Sequence, residues 1–202
     1  MAYTLVAIKQ SGSFATHVLL RELGVDFNIQ WVDIGSDEIK AINPLGQVPV
    51  LLMANGQTLM EGVSIFITLT EMHPKFNLLP STYPERSEVL RWFGYCNATL
   101  LPAFFPPYYP ERYHPNPMEA EAIQLAAAER LRFLLRPAEL QLKNKHWLTG
   151  DQFSIADIYL GMFGSWFKDL NVASEKEFPH YFEMLSRYEA RPSVVAARSL
   201  EE

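Results

Sequence analysis

An α/β domain followed by an all-helical domain is the fold class predicted by this 202-residue sequence, and three observations predict it. Short β-type runs alternate with helical patterns over residues 1–76. Beyond residue 85 the β signals nearly vanish, and apolar residues recur at three- and four-residue spacing. Between the two textures, His73-Pro74-Lys75-Phe76-Asn77 and Leu79-Pro80-Ser81-Thr82-Tyr83-Pro84 supply three prolines and several turn formers. The expected division is therefore a first domain over 1–76, a linker over 77–84 and a helical domain over 85–202.

The first domain reads as strand 4–8, helix 13–23, strand 27–32, a short helix 37–42, strands 50–53 and 58–60, and helix 63–72. The last two strands flank Ala54-Asn55-Gly56-Gln57, where Asn-Gly supplies the positive φ angles of a tight hairpin. In the second domain, Val89, Leu90, Phe93, Asn97 and Leu100 share one helical face, and Ile123, Ala127, Leu131, Leu134 and Leu135 share another. A third helix starts at Ser154-Ile155-Ala156-Asp157, where hydroxyl and carboxylate reciprocate as a capping box, with Phe153 and Ile158 as its hydrophobic staple.

Composition narrows the function. The sequence is 49% hydrophobic and 20% charged, with 17 Lys and Arg against 23 Asp and Glu and a formal net charge of −6. It has no basic run, so it lacks the electrostatic footprint of a nucleic-acid or anionic-membrane binder. Its longest apolar stretch, 158–167, falls well short of the roughly 20 residues that span a bilayer. The N-terminal residues lack a basic n-region and a full h-region, and the lone Cys96 has no partner for a disulfide or a metal motif. A cytoplasmic protein is expected. No Gly-rich phosphate loop, HExxH helix or GxSxG elbow is present, and the five histidines lack metal-ligand spacing.

The most informative stretch is Asn43-Pro44-Leu45-Gly46-Gln47-Val48-Pro49-Val50-Leu51. Pro49 directly precedes a strand, which is read either as an ordinary trans proline or as a cis bond that turns the Val48 amide and carbonyl outward, free to pair with a peptide-like ligand. Asn-Pro-x-Gly-Gln-Val-Pro, the hairpin after it and Glu61-Gly62-Val63-Ser64-Ile65 together resemble the glutathione-binding half of cytosolic glutathione transferases. Phe153-Ser154-Ile155-Ala156-Asp157 and Arg191-Pro192-Ser193-Val194 resemble that family's helical capping box and closing motif, so the resemblance runs the length of the chain. The run from Ser13 to Phe27 is most similar to the bacterial beta class.

This resemblance implies a thioredoxin-like domain joined to a helical bundle, glutathione as co-substrate without a metal, a small apolar electrophile as second substrate, and a homodimer. It assigns the peptide contacts to Gln47, Val48 and Pro49, and the γ-glutamyl contacts to Glu61, Gly62 and Ser64. The class also carries a tyrosine, a cysteine and a histidine near the sulfur, where this sequence has Ala7, Gly12 and Leu101. What remains is Gln10-Ser11-Gly12-Ser13, with the hydroxyls of Ser11 and Ser13 and the helix amides from Gly12 onward. Free cysteine has a pKa near 8.5. Lowering it by about two units takes roughly 2.7 kcal/mol, within reach of a helix N-terminus plus one hydroxyl donor.

Each assignment has a plainer counterpart. Ser11 or Ser13 caps the helix, and Glu61 offsets a helix dipole. The family's electrophile pocket maps to Phe104, Phe105, Tyr108 and Tyr109, with Phe14 and Trp166 as further walls, although aromatic clusters are commonly core. Pro106 and Pro107 are expected to break the helix there and expose rings. The rival to an enzyme is a transferase-like protein that keeps the scaffold for ligand or protein binding and has lost turnover.

Overall fold

A computed structural model describes residues 2–201. The chain divides into two compact units. One holds the chain up to Ser81 together with everything from Ala190 onward, and the other is Thr82–Glu189. The helical domain expected over 85–202 is thus corrected at its end: the last stretch belongs with the first unit.

The first unit is built on a four-stranded mixed sheet, ordered β2-β1-β3-β4, from β1 (Tyr3–Ala7), β2 (Phe27–Trp31), β3 (Val50–Leu52) and β4 (Thr58–Met60). β1 and β2 are parallel, joined through α1 (Ser13–Glu22), while β3 pairs antiparallel with both β1 and β4. Alternation sorts the side chains between two faces. Val6, Val50 and Val32 meet Ile39 of α2 (Asp37–Ile42) on one face, with Ile8, Ile42, Val48, Leu52 and Met60 around them. Leu5, Leu51 and Leu59, of the other parity, are buried on the face that α1 and α3 (Gly62–Met72) cover. The hairpin turns through a single positive φ, at Gly56 (87°), with Met53 and Gln57 closing a three-residue loop. Asn55 instead accepts the Gln57 amide on its side chain, so one left-handed residue does the work expected of two.

Every residue of α1 from Ser13 to Leu20 is buried, more than a one-faced helix on a sheet requires. The cause is α9 (Pro192–Arg198), which packs on α1 from its other side. Arg191 fixes it there with two hydrogen bonds of 2.7 Å to the Glu22 carboxylate, joined by the Ser193 hydroxyl. The closing motif is therefore a long-range clamp, and such paired bidentate contacts are the strong kind of surface ion pair. Within α1, His17 accepts from Arg21 Nε at 2.9 Å on its Nε2, so the proton sits on Nδ1. Burial, aided by the Arg21 charge, holds His17 down at about 4.

The second unit is helical: α4 (Glu85–Gly94), α5 (Phe105–Tyr108), α6 (Ala120–Leu142), α7 (Ile155–Asp169) and α8 (Pro179–Glu189). Tyr95–Leu100 widens into a π-type segment and Leu101–Phe104 tightens into a 3₁₀ turn, so the first predicted helix is three geometries in succession. Pro106 and Pro107 do not break it. They occupy the first turn of α5, where no N–H is needed, and the chain leaves the helix at Tyr109. α7 starts at the expected capping box: Asp157 Oδ2 accepts from the Ser154 amide at 2.9 Å and hydroxyl at 2.7 Å. Its Oδ1 takes the Leu148 amide at 2.8 Å, which ties the preceding loop to the same carboxylate. Burial pushes Asp157 up to about 6 against these three donors. No helix among the described residues is long and apolar enough to cross a membrane.

Candidate functional site

Strand register gathers three loops at one end of the sheet. Val50 faces Met60 at the last rung of the β3–β4 pair, so the Val48-Pro49 segment that enters β3 and the Glu61-Gly62 turn that leaves β4 lie at the same end of the sheet. Val6 faces Val50 in turn, which brings the chain after Ala7 to the same end. The starts of α1 and α3 follow directly from these strands, so two helix N-termini with their unpaired amides converge there. The ends of strands beside helix N-termini are a favourable setting for an anionic, peptide-like ligand.

Asn43 shapes the loop that presents Val48. Its side chain donates to Gln47 O at 2.8 Å and accepts the Leu45 amide at 3.1 Å, while Gly46, at φ 64°, donates to Asn43 O at 2.7 Å. The Val48-Pro49 bond is cis. The Val48 side chain packs into the sheet core, and its backbone amide and carbonyl make no hydrogen bond among the described residues. Asn43, buried and fully engaged, is a positioning residue not singled out from the sequence, although its place at the head of the Asn-Pro-x-Gly motif was the available signal.

Glu61 is exposed, and its φ of 66° is unusual for a residue with a side chain. Such a conformation costs on the order of 1–3 kcal/mol and persists where the surroundings impose it. Its carbonyl starts α3 by accepting from Ile65 at 3.0 Å, whereas its carboxylate does not cap the helix and has no partner among the described residues. Ser64 is exposed, Gly62 is buried, and the Gln47 side chain is exposed without a partner among the described residues.

At the start of α1 the two serines are spent on their own turn. Ser11 Oγ lies 2.7 Å from Ile8 O and 2.8 Å from Ser13 Oγ, and Ser13 Oγ lies 3.0 Å from the same carbonyl. The Ser13 amide donates to Ser11 Oγ and the Ile8 amide to Ser13 Oγ, each at 3.2 Å. Ser13 is fully buried, which removes it as a direct contact for any ligand; Ser11 is half-buried. Neither is the N-cap. That residue is Gly12, with ordinary helical φ and ψ and open space where a Cβ would stand. The turn is also held from a distance: the Gln10 amide, at φ 57°, donates to Glu201 Oε2 at 2.8 Å. Burial raises the Glu201 carboxyl, with the Gln10 hydrogen bond and the Arg198 and Lys9 charges opposing. No local pattern announces a contact across so much sequence.

The aromatic residues separate into core and surface. Phe14 is buried beneath Arg198, whose guanidinium carbon lies 4.1 Å from its ring centre. Phe104 is also buried, stacked on Phe163 at 5.1 Å and edge-on to Trp166 and Phe167. Both were expected as pocket walls and are core instead. Phe105 and Tyr108 are each 40% exposed, with Trp166 half-buried and edge-on to Tyr108, and Tyr109 half-buried beneath Arg112. Burial of its hydroxyl end, with the Asp169 and Tyr109 charges, pushes Tyr108 up to about 12, so it is a hydrogen-bond donor at neutral pH. Cys96 is wholly buried, and burial pushes its thiol up.

Two family descriptions match the sequence: "Glutathione S-transferase, N-terminal domain" over residues 13–72 and "Glutathione S-transferase, C-terminal domain" over 96–192. Glutathione S-transferase GstA of Escherichia coli O157:H7 is 33% identical over 199 residues, covering 94% of each chain. The chain belongs to the glutathione S-transferase family. A sphingomonad glutathione S-transferase solved in complex with glutathione superposes with a TM-score of 0.86 at 26% identity, covering 98% of both chains. The bacterial beta-class transferase of Sphingomonas chungbukensis superposes at 0.87 with 27% identity, again over 98% of both. The fold expected from the resemblance, a thioredoxin-like domain with a helical domain, is that of the glutathione S-transferases. Ala7 is buried at the end of β1, Gly12 has no side chain, and Leu101 begins the 3₁₀ turn, so none of the three positions offers a polar group.

Proposed function

We propose that this glutathione S-transferase binds glutathione at the sheet end described above and conjugates its thiolate to a small apolar electrophile. The observation that carries the reading is the set of groups left without partners there among the described residues: the Val48 backbone amide and carbonyl, the Gln47 side-chain amide and the Glu61 carboxylate. An extended γ-glutamyl peptide matches them. Its cysteinyl backbone pairs with Val48, its ammonium meets Glu61, and its α-carboxylate lies on the α3 amides near Gly62 and Ser64. This pose leads the sulfur to the start of α1, where the Ser11 hydroxyl and the helix amides favour the anion. The thiol proton passes to solvent, the sulfur forms a bond to the electrophilic carbon, and either a halide ion leaves or an epoxide C–O bond opens and its oxygen takes a proton back from solvent. The exposed Phe105 and Tyr108 and the half-buried Tyr109 and Trp166 are the residues we assign to the electrophile, with Tyr108 as donor.

Calorimetric titration with glutathione, alongside conjugation of an aryl halide, tests the reading. The unmodified protein should bind and turn over, and Glu61→Gln should weaken binding on the order of tenfold, the worth of a charge-assisted hydrogen bond. No heat at millimolar glutathione would reject the site; binding without turnover on aryl halides or epoxides would favour a ligand-binding protein on the transferase scaffold.

A further inference from the structure

The hydrogen bonds at the start of α1 leave a question of supply. Two hydroxyl protons serve three acceptors: the Ile8 carbonyl and the two serine oxygens. The Ser11 proton lies on the Ile8 carbonyl at 2.7 Å, the shorter of the two contacts that carbonyl receives, and no other group among the described residues donates to it. If Ser11 simply turned away towards a ligand, a half-buried carbonyl would be stranded.

We propose that Ser13 is a positioning residue that releases Ser11: its hydroxyl, already 3.0 Å from the Ile8 carbonyl, takes over that acceptor when the Ser11 hydroxyl turns to the glutathione sulfur. The inference rests on the reading that the sulfur lies at the start of α1. Before the exchange, the Ser13 proton points to Ser11 Oγ and the Ser11 proton to Ile8 O. Afterwards the Ser13 proton points to Ile8 O and the Ser11 proton to sulfur. Only the two O–H rotors move, because each oxygen is pinned by an amide, Ser11 Oγ by Ser13 N–H and Ser13 Oγ by Ile8 N–H. The two hydroxyl bonds remain two in number, the neutral Ser13–Ser11 bond giving way to a charge-assisted bond to sulfur, and the Ile8 carbonyl keeps a donor throughout. The arrangement explains why a fully buried serine accompanies a half-exposed one: Ser11 Oγ already takes the first amide of α1, and the Ser13 hydroxyl serves no amide of that helix.

The test is a double-mutant cycle read on the pKa of bound glutathione, followed by thiolate ultraviolet absorbance against pH. Ser11→Ala should raise that pKa by about one to two pH units, the worth of one hydrogen bond to an anion. Ser13→Ala should raise it by a similar amount with little change in glutathione affinity, and the double variant should go no higher than Ser11→Ala alone. Ser13→Thr and Ser13→Val share a shape and differ in the hydroxyl, so Thr should keep the low value and Val lose it, even where Ala destabilises the turn. A raised pKa in Ser11→Ala with an unmoved one in Ser13→Ala or Ser13→Val overturns the proposal, as does a double variant in which the two effects add. Failure of the unmodified protein to bind glutathione, or to show a thiolate band, rejects the site itself, and the proposal with it.

Discussion

At the start of α1, two hydroxyls, two amides and one carbonyl satisfy one another within a six-residue turn. The sequence shows both serines but not which is buried, because that depends on α9 and the sheet closing over α1. Gly12 stands beside them with helical dihedrals and nothing within 4 Å of a would-be Cβ. Gly12→Cys should therefore fold normally and place a thiol at a helix N-terminus, where its pKa falls below the ordinary value near 8.5. Labelling with iodoacetamide against pH checks this cleanly, since the native Cys96 is wholly buried and should stay unlabelled. A midpoint at or above that of free cysteine would show that the α1 amides do not favour an anion.

Among the elements, the contact of α7 with α8 is the least forgiving. A Cβ on Gly161 would lie 2.5 Å from the ring carbons of Tyr188, and one on Gly164 would lie 2.3 Å from the tip of Leu185. The leucine can rotate and the ring cannot, so Gly161→Ala should destabilise by about 1–3 kcal/mol and Gly164→Ala by less, measured by urea unfolding. At the other end of α7, Ser154→Ala should cost about 1–2 kcal/mol, because the buried Asp157 loses its hydroxyl donor. The capping box, the hairpin and every strand were legible from local chemistry. The succession of helix types around Tyr95–Leu100 was not, since the same apolar spacing suits a wider or tighter turn. Nor was the fate of Phe104, whose ring is core or pocket according to what packs over it.

On the scale of the whole molecule, the closing Arg191-Pro192-Ser193-Val194 segment was legible as a motif but not as a clamp on Glu22, because nothing local encodes a partner so distant. In the same unit His17 is buried against Phe27 and Arg21, and its pKa of about 4 lies below the ordinary 6.5. Between those values the unfolded chain carries a proton that the folded chain does not, so stability is full above pH 6.5 and falls as pH drops towards 4, by about 3 kcal/mol in all. His17→Gln should remove that part of the slope, as the difference between the two proteins' unfolding free energies across this range shows. The central claim, that an extended glutathione lies at the sheet end with its sulfur at Ser11, is tested most directly by a crystal structure of the complex. The account predicts the cysteinyl backbone paired with Val48, the ammonium on Glu61 and the sulfur within hydrogen-bond reach of Ser11 Oγ. Glutathione bound elsewhere, or with its sulfur turned away from α1, would contradict it.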